Sequence, residues 1–181
     1  MKRMKAFIAL FLIAATLHAT TVIPMSVERL TEASSRVVMA QAQDSWTELS
    51  ADKKLIYTVT RFAVQKSYKG QPAETVLVRS MGGRMGNIEQ KVSGVRSWRS
   101  GERAVLFLRE SVVNDGTLAV TGIMQGDFRF VRDIATGEQY VSNGVPDVES
   151  FDAQTRKTSV YTGSKLPLRE LERRVMQAVT K

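Results

Sequence analysis

Seven basic side chains crowd around one tryptophan in the middle of the sequence. Arg79, Arg84, Lys91, Arg96, Arg99, Arg103 and Arg109 flank Trp98, opposed over that stretch only by Glu89, Glu102 and Glu110. Cationic and aromatic side chains in alternation suit an anionic partner. In a cytoplasmic protein that would be single-stranded nucleic acid; in an exported one, an anionic glycan, an envelope surface or an acidic protein face. The plainer reading is a solvated basic loop with Trp98 packed into the core, and both stay open at this level. Catalytic chemistry has less to work with. The chain has no cysteine and one histidine, His18, so thiolate metal sites, a disulfide framework and a Cys nucleophile are excluded.

Carboxylates remain. Asp44, Glu48, Asp52, Asp127, Asp133, Asp147, Glu149 and Asp152 fall mostly in loop-like segments, as surface acids do. A glycosidase pair needs two of them about 5–9.5 Å apart in a cleft, and nothing in the spacing marks such a pair. Gly82-Gly83-Arg84-Met85-Gly86 has the glycines of a phosphate loop but lacks the Lys-Ser/Thr ending, so a turn is the better reading. Calcium-type Asp spacing is absent. No cofactor is expected.

The amino terminus decides where this chemistry operates. Lys2, Arg3 and Lys5 precede an apolar run from Ala6 to Leu17, which ends at Leu17-His18-Ala19. A basic start, a short apolar stretch and a small residue make a signal peptide over residues 1–19, cleaved after Ala19. A bilayer span needs about 20 apolar residues, more than this run supplies. The mature chain is then periplasmic or extracellular, with no transmembrane segment. Cleavage takes the basic residues from 26 to 23 against 18 acidic ones, a net charge of +5 in place of +8. It also removes His18, and with it Ser-His-Asp catalysis and His-ligated zinc or copper. Export makes nucleic acid an unsuitable partner.

The elements that must position these residues read mainly as strands. The 181 residues, 43% hydrophobic and 24% charged, fit an ordinary globular chain rather than a disordered one. Thr20 to Pro24 reads as extended, and Ser26 caps a short helix from Val27 to about Ser34. Arg36–Gln43 reads as a strand, and residues 44–54 as a polar turn. In Leu55–Tyr68 the apolar positions change parity near Thr60-Arg61, which predicts a β-bulge in a long bent strand. Thr75–Arg79 follows, stopped at Gly82-Gly83, and residues 82–101 read as irregular. Arg103–Arg109 is apolar on both faces and reads as the most buried strand. Asn114-Asp115-Gly116 signals a hairpin back to Leu118–Met124. Residues 127–132 and 139–141 form a second hairpin around 133–137, and residues 142–165 read mostly as loop. Pro167 opens an amphipathic helix, about 167–180, with Leu168, Leu171, Val175 and Val179 on one face. Its mixed charges favour docking on the sheet over a membrane surface. Five to seven strands with a helix at each end fit a small β-barrel, residues 20–181 forming one domain.

Several short motifs, taken in order, carry a resemblance. They are Thr21-Val22-Ile23-Pro24-Met25-Ser26, Arg36-Val37-Val38-Met39-Ala40, Phe62-Ala63-Val64 with Tyr68-Lys69-Gly70, and Gly82-Gly83. Gly101 to Leu108 and Gly122 to Phe128 complete the set. Together they resemble exported bacterial domains with an OB-like barrel, similar to the netrin-like domain of tissue inhibitors of metalloproteinases. The resemblance implies a small OB-like barrel that binds a partner through one strand face and its loops, and such domains can occur beside secreted metalloproteases. In the animal inhibitors the mature chain starts with a cysteine whose amine and carbonyl chelate the protease zinc. Here Thr20 takes that place, unsupported by disulfides, and ordering such a segment costs about 1–2 kcal/mol per residue. The fold carries over and the inhibitory mechanism does not. The expectation is a non-enzymatic exported binding domain acting on a protein or envelope partner, through Thr20 and Thr21 or through Arg84, Arg96, Trp98 and Arg99. The alternative is a protease inhibitor or protease-associated module using the mature amino terminus.

Overall fold

The computed structural model describes residues 20–113, 115–132, 137–145, 148–152 and 154–180. The expected leader, residues 1–19, lies outside them, as do Asn114 and residues 133–136 at the two predicted hairpin tips.

Thirteen strands and two helices follow one another: β1 (Thr20–Val22), α1 (Val27–Glu32), β2 (Arg36–Leu49), β3 (Ile56–Lys69), β4 (Thr75–Met81), β5 (Gly83–Met85), β6 (Ile88–Gln90), β7 (Arg103–Glu110), β8 (Leu118–Val120), β9 (Asp127–Arg132), β10 (Gln139–Ser142), β11 (Val148–Asp152), β12 (Lys157–Val160), β13 (Lys165–Pro167) and α2 (Leu168–Val179). The main sheet runs β13-β10-β9-β7-β2-β3-β4-β8, and β8 also pairs with β7. Strands β2, β3, β4, β8 and β7 therefore form a five-membered ring. All its pairings are antiparallel except β4–β8, which is parallel and rests on the single pair Val78–Leu118. The molecule is mainly β, and this partly closed ring is OB-like in its order.

Strand β7 shows why a run apolar on both faces was needed. Ala104, Leu106 and Leu108 point into the ring, where they meet Val38, Ala40, Phe62, Val76 and Val78. Val105 and Phe107, on the other face, meet Val37, Phe128 and the inner sides of both helices, Leu30 from α1 and Leu171 and Val175 from α2. The strand thus separates two cores, and all five residues from Ala104 to Leu108 are buried. Phe107 and Phe128 pack with ring centroids 5.6 Å apart. Truncating a side chain such as Phe107 to Ala costs about 3–5 kcal/mol.

Ser26 caps α1, its Oγ accepting from the Arg29 amide at 3.2 Å. Helix α2 docks on the sheet: Lys66 Nζ and Tyr68 Oη both donate to Glu172 Oε1 at 2.8 Å. It is tied to α1 by a two-pronged contact, Arg174 Nε and Nη2 to the Glu28 carboxylate, each 2.7 Å.

Several sequence expectations need correction. Residues 44–49 are not a turn: β2 continues through them to Leu49, paired with β3 up to Ile56. The bulge expected in the Leu55–Tyr68 strand near Thr60-Arg61 is not there: the slip near Arg61 lies in β2, where Gln43 and Asp44 bulge between the pairs Ala42–Phe62 and Ser45–Thr60. Strand β3 meanwhile pairs without interruption with β4 from Tyr57 to Ala63. Residues 82–101 contain the β5–β6 hairpin. The return expected at Leu118–Met124 is strand only to Val120. Residues 121–126 then make a tight connection in which Phe107 N donates to Gly126 O at 2.9 Å and Gly126 N to Thr121 O at 3.0 Å. A Cβ on Gly126 would sit 2.8 Å from both the Phe107 and Thr121 carbonyl oxygens, so only glycine fits there. Residues 142–165 contain β11, β12 and the start of β13, and β11 joins β1 and β12 in a separate sheet. Pro167 stands just before α2 as its cap, not as its first residue.

Candidate functional site

The arginines of the central stretch divide by what they touch. Arg96 lies half-buried in the 91–102 segment. Its Nη2 donates to the Asp127 carbonyl at 2.6 Å and pairs with Asp127 Oδ2 at 3.2 Å. From β9, the strand that also carries Asp127, Arg129 Nε reaches the same Oδ2 at 3.1 Å. Arg129 also pairs with Glu102 at 3.1 Å, donates to the Ser97 carbonyl at 2.9 Å, and stacks 3.9 Å above the Trp98 ring. Trp98 in turn meets Phe62 edge-on, centroids 5.0 Å apart at 88°. Trp98 is therefore sandwiched between the ring core and a guanidinium.

Asp127 is not the surface acid that its place in the sequence suggested: it is 3% exposed. Burial pushes its carboxyl above the usual range, while the Arg96 and Arg129 charges pull it back. Burial also lowers Arg96, against the pull of Asp127. These three charges, with Glu102, interlock the 91–102 segment with β9. Arg129 was missing from the sequence-level cluster. The available clue was its i, i+2 spacing from Asp127 on one strand, which puts both side chains on one face.

The remaining sequence-level site residues fall elsewhere. Arg84 stands exposed on the β5–β6 hairpin, its Nε only 3.4 Å from the Gly86 carbonyl. Arg99 is exposed, and only its backbone amide is engaged, donating to Glu102 Oε2 at 3.1 Å. Thr20 and Thr21 lie in β1, in parallel register with Val148 and Glu149 of β11. Among the described residues no group of three His, Cys, Asp or Glu side chains is placed to hold a metal. No described helix is long and apolar enough to cross a membrane.

What the sequence did not indicate is a cleft of about 160 Å³ beside this cluster, with Trp98, Met124 and the Arg96–Asp127 pair in its wall. Met81, Val112, Val113 and Ile123 line it while being 45%, 84%, 47% and 46% exposed. They come from the end of β4, the β7–β8 hairpin and the connection after β8. Ile123 holds φ +66° beside Gly122 at +67°. A β-branched residue in the left-handed region is an outlier that the surrounding structure must enforce. Here that turn aims Met124 into the small core with Val22, Val145, Val148 and Tyr161 and leaves Ile123 at the cleft.

Two further arginines border the cleft and differ completely. Arg79 Nη2 reaches Glu48 at 3.0 Å and Asp115, its Nε donates to Thr117 Oγ1 at 3.3 Å, and it covers the Tyr57 ring at 5.2 Å. Arg109 is exposed, and its side chain has no hydrogen-bond or ion-pair partner among the described residues. A second hollow of about 510 Å³ shares Ser80, Met81, Val95 and Arg96 with the first and extends to Arg84 and Lys91.

No protein-family model matches this chain, and no curated protein matches it either.

Proposed function

We propose that this chain is an exported, non-enzymatic binding domain that engages a protein partner of the cell envelope through the cleft beside Trp98. The observation that carries this reading is the gathering of four solvent-exposed apolar side chains, Met81, Val112, Val113 and Ile123, around one concave site. Scattered surface hydrophobics need no explanation, but a contiguous set with a polar rim is the usual mark of an interaction surface. The similarity to netrin-like domains supports a binding role, and the OB-like ring is compatible with it. The reading does not use the amino terminus as an inhibitor would, because Thr20 and Thr21 are matched to β11 in a ladder.

A photo-crosslinking amino acid at Val113, compared with one at Glu74 near the opposite end of β4, tests the reading in the native envelope. A discrete adduct with one protein from position 113, absent from position 74, supports it. Identical products from both positions, or none from 113, overturn it.

A further inference from the structure

Two hollows share a wall at Ser80 and Met81, and each has an uncommitted guanidinium at its border. The Arg109 side chain borders the first hollow without any partner among the described residues. Arg84 lines the second hollow with only the long contact to Gly86. The other cations nearby already have carboxylate partners. Arg79 is held by Glu48 and Asp115, Arg96 by Asp127, and Lys91 lies 3.5 Å from Glu89. Glu110, next to Arg109 in sequence, accepts from Ser35 Oγ at 3.2 Å instead of pairing with its neighbour. The unsatisfied chemistry of this face is thus an apolar surface between two cationic donors, with a shared wall that allows a ligand to lie across both hollows.

We propose that the occupant is an extended, acidic segment of the partner protein, which places an apolar side chain among Met81, Val112, Val113 and Ile123 and carboxylates on Arg109 and Arg84. This deepens, and rests on, the reading of the cleft as a protein-binding face. Side chains spaced along an extended chain match donors set in two adjoining hollows. A lipid headgroup would instead call for cations clustered at one point. A guanidinium left unpaired beside apolar surface is the group that gains most from a carboxylate, through charge-assisted hydrogen bonds.

The test uses the mature protein and fluorescein-labelled peptides: a central Leu flanked by Glu, the same peptide with Lys for Glu, and the same with Ser for Leu. Vesicles of phosphatidylglycerol serve as the lipid arm. The Glu–Leu–Glu peptide binds, the other two bind at least about 10-fold more weakly, and Arg109→Ala weakens the first by about 10-fold. Its affinity falls as salt rises. Arg109→Lys restores part of the loss, and the urea midpoint of Arg109→Ala stays that of the parent, so the loss does not report unfolding. Equal binding of the Glu and Lys peptides, with binding still abolished by Val113→Asp, overturns the acidic partner while leaving the protein-binding face standing. No binding of any peptide, together with Arg109-dependent binding to the vesicles, overturns both.

Discussion

Arg96 and Arg129 approach one buried carboxylate from two different segments, and Arg129 also covers Trp98. Arg109, on the far side of the same cleft, meets no acid among the described residues. The two regions carry the same side chain in the same stretch of structure, but one set is consumed in holding the 91–102 segment to β9 and the other is left to the solvent. A basic cluster counted along a sequence therefore says little about where a partner lands. What matters is which cations already have carboxylates. Breaking a buried pair is costly because the surviving charge is stranded. Removing an exposed, unpaired charge costs almost nothing.

The largest effect should come from the shared carboxylate. Asp127→Ala leaves Arg96 without a counter-charge and Arg129 with Glu102 alone, both guanidiniums being about four-fifths buried, and should lower stability by about 3 kcal/mol in urea denaturation. A loss below ~1 kcal/mol would mean the cluster is no more structural than the rim. Trp98→Ala comes next, at about 2 kcal/mol, since it removes the surface between Phe62 and Arg129. It should also raise the mobility of residues 91–102, visible as faster amide exchange there and not in β4.

A third prediction places a half-exposed pair between the two extremes. The two-pronged hydrogen bond from Arg174 holds the Glu28 carboxyl at about 2, against an ordinary 4.5. As pH falls, the unfolded chain takes up a proton at Glu28 before the folded chain does. The stabilisation is therefore complete above roughly pH 5 and fades as pH drops toward 2. With both side chains partly exposed, screening reduces it to about 1 kcal/mol. Stability measured across that range should fall less steeply in Glu28→Gln than in the parent. Parallel curves would remove the helix pair from the account.

These contrasts also explain what could be read in advance. Strand β7 was legible because apolar residues on both faces leave no other reading, and Ser26 because a cap is local. Residues 44–49 were not: Gln43, Asp44 and Glu48 are polar, and their strand pairing is imposed by β3 across a bulge. Strand β12 is exposed throughout, and β11 pairs with β1 from the opposite end of the chain, a contact no local pattern encodes. At the site, the aromatic and basic residue types were visible, and packing of Trp98 against the core was one of the two readings. Asp127 was not distinguishable from a surface acid, because its burial depends on Arg96, 31 positions earlier. Val112 and Val113 gave a faint signal, as apolar residues beside a hairpin turn where polar ones are usual.

The central claim, that like residues around one cleft divide into those that hold the fold and those that remain for a partner, is tested most directly by one paired measurement. Urea midpoints of Arg96→Ala and Arg109→Ala are determined side by side under identical conditions. The account predicts a clear drop for Arg96→Ala, on the order of 2 kcal/mol from leaving the buried Asp127 carboxylate with Arg129 alone, and a change within about 0.5 kcal/mol for Arg109→Ala. Equal losses in the two variants would contradict it.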